Sequence, residues 1–385
     1  MRRSDFNPMV RAQWAILVLV FSCSAFAQEK RKLDFPDLAS VRAVSDPQVS
    51  PEGEWVAYVV RTADVDKDEI AGDIWMASWD GARTLQLTYT ESSESRPRFS
   101  PDGTYLAFLA SRGSEEETDK EKSQVWLLAR AGGEARKLTN FPGGVSDYAW
   151  SPDSKRLSVI ASDPDPDEIP PDAEGKEKTP KPIVTDRYQF KQDRVGYLRR
   201  LRDHLYLFDL ETGESELLTP GDFDESLPSW SPDGSLIAFF SKREGDPDRN
   251  DNRDLYLIEP KAGATARKLT TFSGDDGMDY PARFSPDGTH IVYLQGTAPK
   301  YAFYDQPQLA VIPVAGGAPR LLLGDLDRGV WDPHWSADGT SISFLLEDDR
   351  NQVVARVAAS GGPVERLAPG PGVVRELDTR AGRIA

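Results

Sequence analysis

The sequence predicts an all-β chain folded as a β-propeller of four-stranded blades, six complete and a seventh begun. Three observations carry the prediction. A turn tetrapeptide recurs six times at a spacing near fifty residues, short strand-forming runs flank each copy, and the 30 Gly and 29 Pro punctuate those runs at regular intervals.

The tetrapeptide stands at Ser50-Pro51-Glu52-Gly53, Ser100-Pro101-Asp102-Gly103, Ser151-Pro152-Asp153-Ser154, Ser231-Pro232-Asp233-Gly234, Ser285-Pro286-Asp287-Gly288 and Ser336-Ala337-Asp338-Gly339. Successive copies are 50, 51, 80, 54 and 51 residues apart. Serine first, proline fixing φ second, aspartate third and glycine fourth are type I turn preferences, with glycine free to turn left-handed into the next strand. Each copy therefore reads as a hairpin turn. An aromatic precedes it in five copies (Phe99, Trp150, Trp230, Phe284, Trp335). Runs such as Leu106-Ala107-Phe108, Ile237-Ala238-Phe239, Ile291-Val292-Tyr293 and Ile342-Ser343-Phe344 follow it and read as second strands.

Third strands are signalled at Asp73-Ile74-Trp75, Gln124-Val125-Trp126, His204-Leu205-Tyr206, Asp254-Leu255-Tyr256 and Gln308-Leu309-Ala310. Glycine turns come next (Gly81, Gly132-Gly133, Gly213, Gly263, Gly316-Gly317), then short strands ending Leu87-Thr88, Leu138-Thr139, Leu218-Thr219 or Leu269-Thr270. Four antiparallel strands in about fifty residues make one propeller blade. The aromatics then wedge between blades as core.

The 80-residue spacing marks an insertion in blade three, about 163–185, rich in Pro, Asp and Lys. Such a composition reads as a solvated excursion. After it, Asp186-Arg187-Tyr188-Gln189-Phe190-Lys191-Gln192-Asp193 and Gly196-Tyr197-Leu198 mix aromatics with charges, as suits a surface facing something other than bulk water. At the other end, Arg375 to Ala385 can be laid on Arg283-Phe284-Ser285-Pro286-Asp287-Gly288 and the strand after it. A seventh blade is expected to begin there and be truncated near 373–385.

Residues 1–27 are expected to be a signal peptide, leaving 28–385 as the propeller. Arg2, Arg3 and Arg11 precede an apolar run from Trp14 to Phe21, and Ala25-Phe26-Ala27 places small residues before a cut at Gln28. The run is far shorter than the roughly 20 residues of a membrane helix, so no transmembrane segment is expected. The chain is accordingly read as exported, periplasmic or secreted. An alternative takes Val20-Phe21-Ser22-Cys23 as a lipoprotein box acylated at Cys23; the bulk of Phe21 stands against it.

Charge and composition exclude further classes. With 63 acidic against 46 basic residues and a net charge of −17, the chain opposes a phosphate backbone, and no nucleic-acid partner is expected. One cysteine allows no intrachain disulfide. His204, His290 and His334, the three histidines, read as structural or surface residues, and neither a cofactor nor a metal is expected. Asp246, Asp248, Asn250 and Asn252 alternate like half a calcium loop, but Asp251 and Leu257 stand where glycine and glutamate are required, so a solvated loop is the preferred reading. Asp64, Asp66 and Asp68 are a weaker version, and Glu115 to Lys122 reads as a mixed-charge loop tip.

The aromatic-Ser-Pro-Asp-Gly turn, the Leu/Ile-Ala-Phe and Asp-Leu-Tyr strands and the terminal Leu-Thr resemble the TolB-type propeller repeat over about residues 40 to 372. The block Lys181 to Asp193 with Gly196-Tyr197-Leu198 resembles acylaminoacyl-peptidase- and dipeptidyl-peptidase-like members of the prolyl oligopeptidase family of serine peptidases. That resemblance implies a propeller capping a C-terminal α/β-hydrolase domain and limiting entry to short peptides. No Gly-x-Ser-x-Gly elbow occurs in the sequence, since Gly213-Glu214-Ser215 runs on to Leu217 and Gly339-Thr340-Ser341 to Ser343. No catalytic residue is assigned, and the chain alone is expected to be inactive. Within the family frame, Arg187, Tyr188 and Lys191 are the candidate substrate-binding residues, offering cations and a ring to a peptide; a brace between blade and insertion is the competing reading. The alternative function is a stand-alone TolB-like module binding a protein partner. The sequence leaves oligomeric state open.

Overall fold

The computed structural model describes residues 31–32, 34–112, 122–165, 182–193, 195–301, 304–368 and 370–385. The expected signal peptide, Cys23, most of the blade-three insertion and nearly all of the Glu115–Lys122 run therefore lie outside the described residues. The chain divides into Met1–Leu38 and Ala39–Ala385. In the first unit a single turn, α1 (Phe35–Leu38), is capped by Asp34, whose Oδ1 accepts from the Phe35 amide at 2.8 Å while Asp37 Oδ2 accepts from the Asp34 amide at 2.8 Å.

The second unit contains six four-stranded antiparallel sheets among the described residues. Blade one is β1 (Ala43–Val49), β2 (Trp55–Asp64), β3 (Glu69–Ser78) and β4 (Thr84–Gln86). Blade two is β5 (Glu94–Phe99), β6 (Tyr105–Ala110), β7 (Gln124–Ala129) and β8 (Arg136–Lys137). Blade three has β9 (Val145–Trp150) and β10 (Arg156–Ser162), an inserted hairpin β11 (Lys191–Gln192) and β12 (Gly196–Tyr197), then β13 (Asp203–Asp209) and β14 (Ser215–Leu217). Blade four is β15 (Glu225–Trp230), β16 (Ile237–Ser241), β17 (Asp254–Ile258) and β18 (Arg267–Lys268). Blade five is β19 (Arg283–Phe284), β20 (His290–Gln295), β21 (Gln308–Pro313) and β22 (Arg320–Leu321). Blade six is β23 (Val330–Trp335), β24 (Ser341–Asp348), β25 (Asn351–Ala358) and β26 (Glu365–Arg366). A seventh, partial blade is the two-stranded β27 (Thr379–Arg380) and β28 (Arg383–Ile384).

First strands touch first strands: β1 packs on β5, β5 on β9, β9 on β15, β15 on β19, β19 on β23, and β27 back on β1. They form the inner ring of the propeller, with the fourth strands outside. Because strand direction repeats in every blade, all Ser-Pro-Asp-Gly turns lie on one rim. The loops between second and third strands, including the insertion, lie on the other.

The recurring tetrapeptide does more than turn the chain. Its serine is buried in five copies, fully so at Ser50, Ser100 and Ser151. In blade two, Ser100 Oγ donates to Asp102 Oδ1 at 2.6 Å and accepts from the Tyr105 amide at 2.9 Å, while Gly103, at φ 73°, donates its amide to the Ser100 carbonyl. A buried hydroxyl thus satisfies the strand ends, which a turn propensity alone does not require.

Seams between blades are apolar and follow one rule. Paired residues on the second and third strands face the aromatic that precedes the next turn: Ala57 and Met76 with Phe99, Ala107 and Leu127 with Trp150, Ala238 and Leu257 with Phe284, Val292 and Val311 with Trp335. In the seam between blades three and four Leu207 packs with Trp230, while Ser158, the cross-strand partner of Leu207, accepts from its indole at 3.0 Å. Trp150 and Trp335 each donate Nε1 to a carbonyl of the preceding inner strand, Arg98 at 3.1 Å and Arg283 at 2.9 Å. Burying both ring and N–H fixes each wedge in depth as well as rotation.

The Arg375–Ala385 segment keeps the register of its expected alignment, Thr379 opposite Ile384 as Ser285 meets His290, and differs only in the turn between them. Ala381 (φ 51°) and Gly382 (φ 72°) form a two-residue turn with Arg380 opposite Arg383, the two-residue hairpin connection that needs positive φ at both positions. No strand is exchanged between this hairpin and blade one among the described residues. The Val49 amide instead donates to Asp378 Oδ2 at 2.7 Å, and the Asp46 amide donates to Glu376.

Candidate functional site

The inner strands carry a device that the turn motif does not announce. In β1, β5, β15 and β23 the ladder slips at a bulge, and the bulged residue has positive φ: Asp46 (53°), Arg96 (53°), Leu227 (55°) and Asp332 (48°). Each is followed by proline, Pro47, Pro97, Pro228 or Pro333, which lacks the amide that the broken ladder cannot use. Non-glycine residues held at positive φ are strained and persist where surroundings over-determine them. Around Asp46, Arg96 and Asp332 the surroundings are ion pairs between successive inner strands, and Leu227 packs on the apolar seam between blades four and five.

Arg98 Nη1 lies 2.8 Å from Asp46 Oδ1, and Arg96 Nη1 lies 3.0 Å from Asp147 Oδ1. Arg283 Nη2 reaches Asp332 Oδ1 at 3.3 Å, and His334 Nε2 reaches the same oxygen at 2.9 Å. Burial pushes the Asp147 carboxyl up despite Arg96 and Arg98. It also opposes ionisation of Asp332, but His334 and Arg283 outweigh it and hold that carboxyl well below the usual range. The inner strands of blades one to three, and of blades five and six, are thus joined by paired charges that fix them against one another.

On the insertion rim the three candidate residues are placed as follows. Arg187 is tied to Asp248 through both Nε, at 2.9 Å to Oδ2, and Nη2, and its Nη1 donates to the Arg199 carbonyl at 2.8 Å. Its guanidinium joins the insertion to the long loop of blade four. Tyr188 lies under the Arg249 guanidinium at 4.1 Å from the ring centroid, and Lys191 sits 5.6 Å over Tyr197 across the β11–β12 pair. The three residues share one short segment, each with a different partner, and Tyr188 keeps most of its surface exposed. Phe190, Tyr197, Tyr89, Val184 and Tyr304 are also exposed in loops of this rim.

The loop Asp246–Asn252 is engaged by its own contacts. Asp246 caps a 3-10 turn at Pro247–Arg249, Asp248 holds Arg187, and Asn250 Nδ2 donates to the Glu244 and Asp246 carbonyls. Among the described residues no group of three or more His, Cys, Asp or Glu is placed to hold a metal ion. At Asp64, Oδ1 accepts from the Asp66 and Lys67 amides, a local turn. His204 is buried, its Nδ1 3.4 Å from Glu225 Oε2, and that carboxylate raises its pKa; His290 is half-buried, 2.8 Å from the Thr289 hydroxyl. None of the described helices is long and apolar enough to cross a membrane.

The Leu-Thr that ends blades one and three has a defined task. Thr88 Oγ1 accepts from the Ile74 amide at 2.9 Å and donates to Glu94 Oε2 at 3.0 Å on the next blade's inner strand. Thr219 repeats this with the Leu205 amide and Glu225. Both glutamates are answered by an arginine, Arg112 at 2.9 Å and Arg243 at 2.7 Å, and each arginine lies over a cross-strand aromatic pair, Phe108 with Trp126 and Phe239 with Tyr256. Between blades two and three Thr139 donates instead to Gln124 Oε1 at 2.9 Å, with Val145 six residues on, and the seam between blades four and five departs in another way. Asp276 occupies the position six residues after Thr270, but Thr297 stands where the arginine would be. Asp276 is fully buried; its Oδ1 accepts from the Gly296 amide at 3.1 Å and its Oδ2 has no partner. Burial pushes this carboxyl up to about 7, with Asp254 and Asp275 pushing it the same way.

Comparison with known proteins places this geometry. No family model matches the chain. Uncharacterized peptidase YuxL of Bacillus subtilis (strain 168) is 30% identical over 229 residues, 60% of this chain and 34% of that protein. Dipeptidyl-peptidase 5 of Porphyromonas gingivalis is 26% identical over 348 residues, 85% of this chain and 48% of that protein. Among solved structures, Pyrococcus horikoshii acylaminoacyl peptidase matches with a TM-score of 0.68 at 20% identity, over 91% of this chain and 50% of that one. The β-propeller domain of the Trilobed protease from Pyrococcus furiosus, described as having an open velcro topology, matches with a TM-score of 0.58 at 20% identity, over 88% of both chains. The chain is a β-propeller related in sequence to peptidases, and it spans about a third to a half of the length of the first two relatives.

Proposed function

We propose that this chain is the substrate-gating propeller of an exported serine peptidase that cleaves short peptides, working with an α/β-hydrolase domain that supplies the Ser-His-Asp chemistry. The observation that carries the reading is the match to a dipeptidyl-peptidase 5 over 85% of this chain but only 48% of that protein. The inner ring of paired charges acts as the size filter. The insertion rim, with exposed Tyr188, Phe190 and Tyr304, is the face turned to the catalytic domain, since exposed aromatic surface marks an interaction site. Export rests on the pattern of Arg2, Arg3 and Arg11 before Trp14–Phe21.

The purified chain is expected not to hydrolyse acyl-peptide or aminoacyl chromogenic substrates. Turnover blocked by a serine-directed inhibitor would contradict this. In the full-length enzyme, Arg187→Ala should raise KM for peptides while sparing small esters, because the insertion it anchors flanks the peptide path. Equal loss on both substrates would remove Arg187 from substrate handling.

A further inference from the structure

On the rim of the Ser-Pro-Asp-Gly turns, the residue five places after the turn serine opens the second strand. In blades two, three and four its side chain covers the aromatic of the following blade. Tyr105 and Leu236 pack into the apolar clusters that hold Trp150 and Phe284, and the Arg156 guanidinium lies 5.5 Å over the Trp230 ring. Blade five has His290 at this position, its Nδ1 2.8 Å from the Thr289 hydroxyl. There the seam to the next blade is left open, and a cavity of about 540 Å³ is lined by both His290 and Trp335. Every residue of its wall belongs to blade five or blade six, each a complete four-stranded sheet.

The polar groups around the indole are of both kinds. Asp287 and Asp338 are held down to about 2, chiefly by the Ser285 and Ser336 hydroxyls, and so stand ionised as acceptors. The three bonds that Asp338 accepts all fall on Oδ1, which leaves Oδ2 open among the described residues. Arg320 donates Nη2 to the Ala359 carbonyl at 2.7 Å and keeps Nε and Nη1 for a further acceptor. Ser360 adds a hydroxyl. Two carboxylates thus stand against one guanidinium and an imidazole. A small anion would be repelled by Asp287 and Asp338, and a small cation by Arg320, since like charges brought together exclude a ligand. A neutral ring with hydroxyls on its edge and C–H bonds on its face meets neither penalty. Its hydroxyls donate to carboxylates and accept from a guanidinium, while its apolar face lies flat on the indole.

We infer that the cavity between blades five and six is a binding site for a pyranose sugar, stacked on Trp335 and held at its edge by Asp338 and Arg320. The volume lies in the range of small-molecule sites. Such a ring comes from one of two sources, a free monosaccharide or the terminal residue of a glycan. The site is independent of the proposed peptidase role, because it uses only residues of this chain and lies on the opposite rim from the insertion.

NMR titration of the full chain, with its tryptophan indoles labelled with ¹⁵N, tests it. The probes are the methyl β-glycosides of glucose, galactose and N-acetylglucosamine, the disaccharides cellobiose, lactose and diacetylchitobiose, and acetate and choline as the charged rivals. At least one glycoside is expected to shift the Trp335 indole saturably, and neither acetate nor choline should. A disaccharide tighter than the matching methyl glycoside assigns a glycan terminus; equal or weaker binding assigns a single sugar. Arg320→Gln and Asp338→Asn should each weaken binding about 10-fold or more, the usual loss for one hydrogen bond to a charged group. Arg136→Gln, at the same outer-strand position in blade two, should not. His290→Leu, which restores the leucine that blade four carries, should abolish binding while leaving the melting temperature equal or higher, so that lost binding is separable from lost folding. No saturable glycoside, acetate or choline binding as tightly as a sugar, or unchanged affinity in His290→Leu would overturn the inference.

Discussion

Replacing Asp276 by Asn tests the missing-arginine seam between blades four and five. The carboxyl is pushed from its ordinary 3.8 up to about 7 in the folded chain, chiefly by burial. Between those two values the folded state keeps a proton that the unfolded chain has released, so stability falls as pH rises from about 4 to about 7 and then levels off. The full loss is about 4 kcal/mol as an upper bound, since each tenfold difference in proton affinity between the folded and unfolded chain is worth about 1.4 kcal/mol. Asn removes the ionisation and keeps an oxygen for the Gly296 amide. Its NH₂ falls where Oδ2 now lacks a partner, and an unpaired buried donor costs about 1–3 kcal/mol. The variant should therefore be about 1–3 kcal/mol more stable than the parent at pH 8, and equal or less stable at pH 4. The charged groups around the site, Asp254 with Lys268, Asp275 with Arg253, and the buried Tyr293, are unchanged by the substitution. Urea unfolding of both proteins from pH 4 to 8.5 gives the comparison. A stability difference that does not vary with pH, or a variant less stable at pH 8, would refute the reasoning.

Two further outcomes follow from local contacts. Ser285→Ala removes the hydroxyl that, with the Thr289 amide, holds Asp287 down to about 2, so NMR titration should show that carboxyl moving back toward its ordinary range. The parent's turn contributes stability above pH ~4 that is lost as pH falls through about 2, and the variant should lack part of this acid limb. Arg187→Ala releases Asp248 and unties the insertion from blade four. Chymotrypsin should then cut faster near Tyr188, Phe190 and Tyr197, while the melting temperature moves by no more than about 2 °C, since the segment is peripheral to the blade cores.

Much of the fold is legible because the repeat marks its own period. Each Ser-Pro-Asp-Gly copy fixes one hairpin, and the strand runs on either side match the blade strands β1 to β10 and β13 to β26 in order, while the inserted hairpin β11–β12 was not signalled. The inner-ring bulges were also written in the sequence, as Asp46-Pro47, Arg96-Pro97, Leu227-Pro228 and Asp332-Pro333 a constant distance before the turns. Reading the turn as the motif hid them, since a proline two residues before the aromatic looks like a strand breaker rather than a bulge. The paired roles of Thr88 with Glu94 and Thr219 with Glu225 join residues six apart across a blade boundary, a relation that no strand periodicity displays. Arg187 was legible as a residue with a special partner. Its partner Asp248 was not, because the two are 61 residues apart and meet only when insertion and blade-four loop share a rim.

The proposed function is tested most directly by the coding DNA that follows codon 385. An open frame that completes blade seven and reaches a Gly-x-Ser-x-Gly elbow a hundred or so residues or more downstream, as the size of a hydrolase domain requires, is the predicted result. A stop codon with no such frame would contradict the peptidase reading.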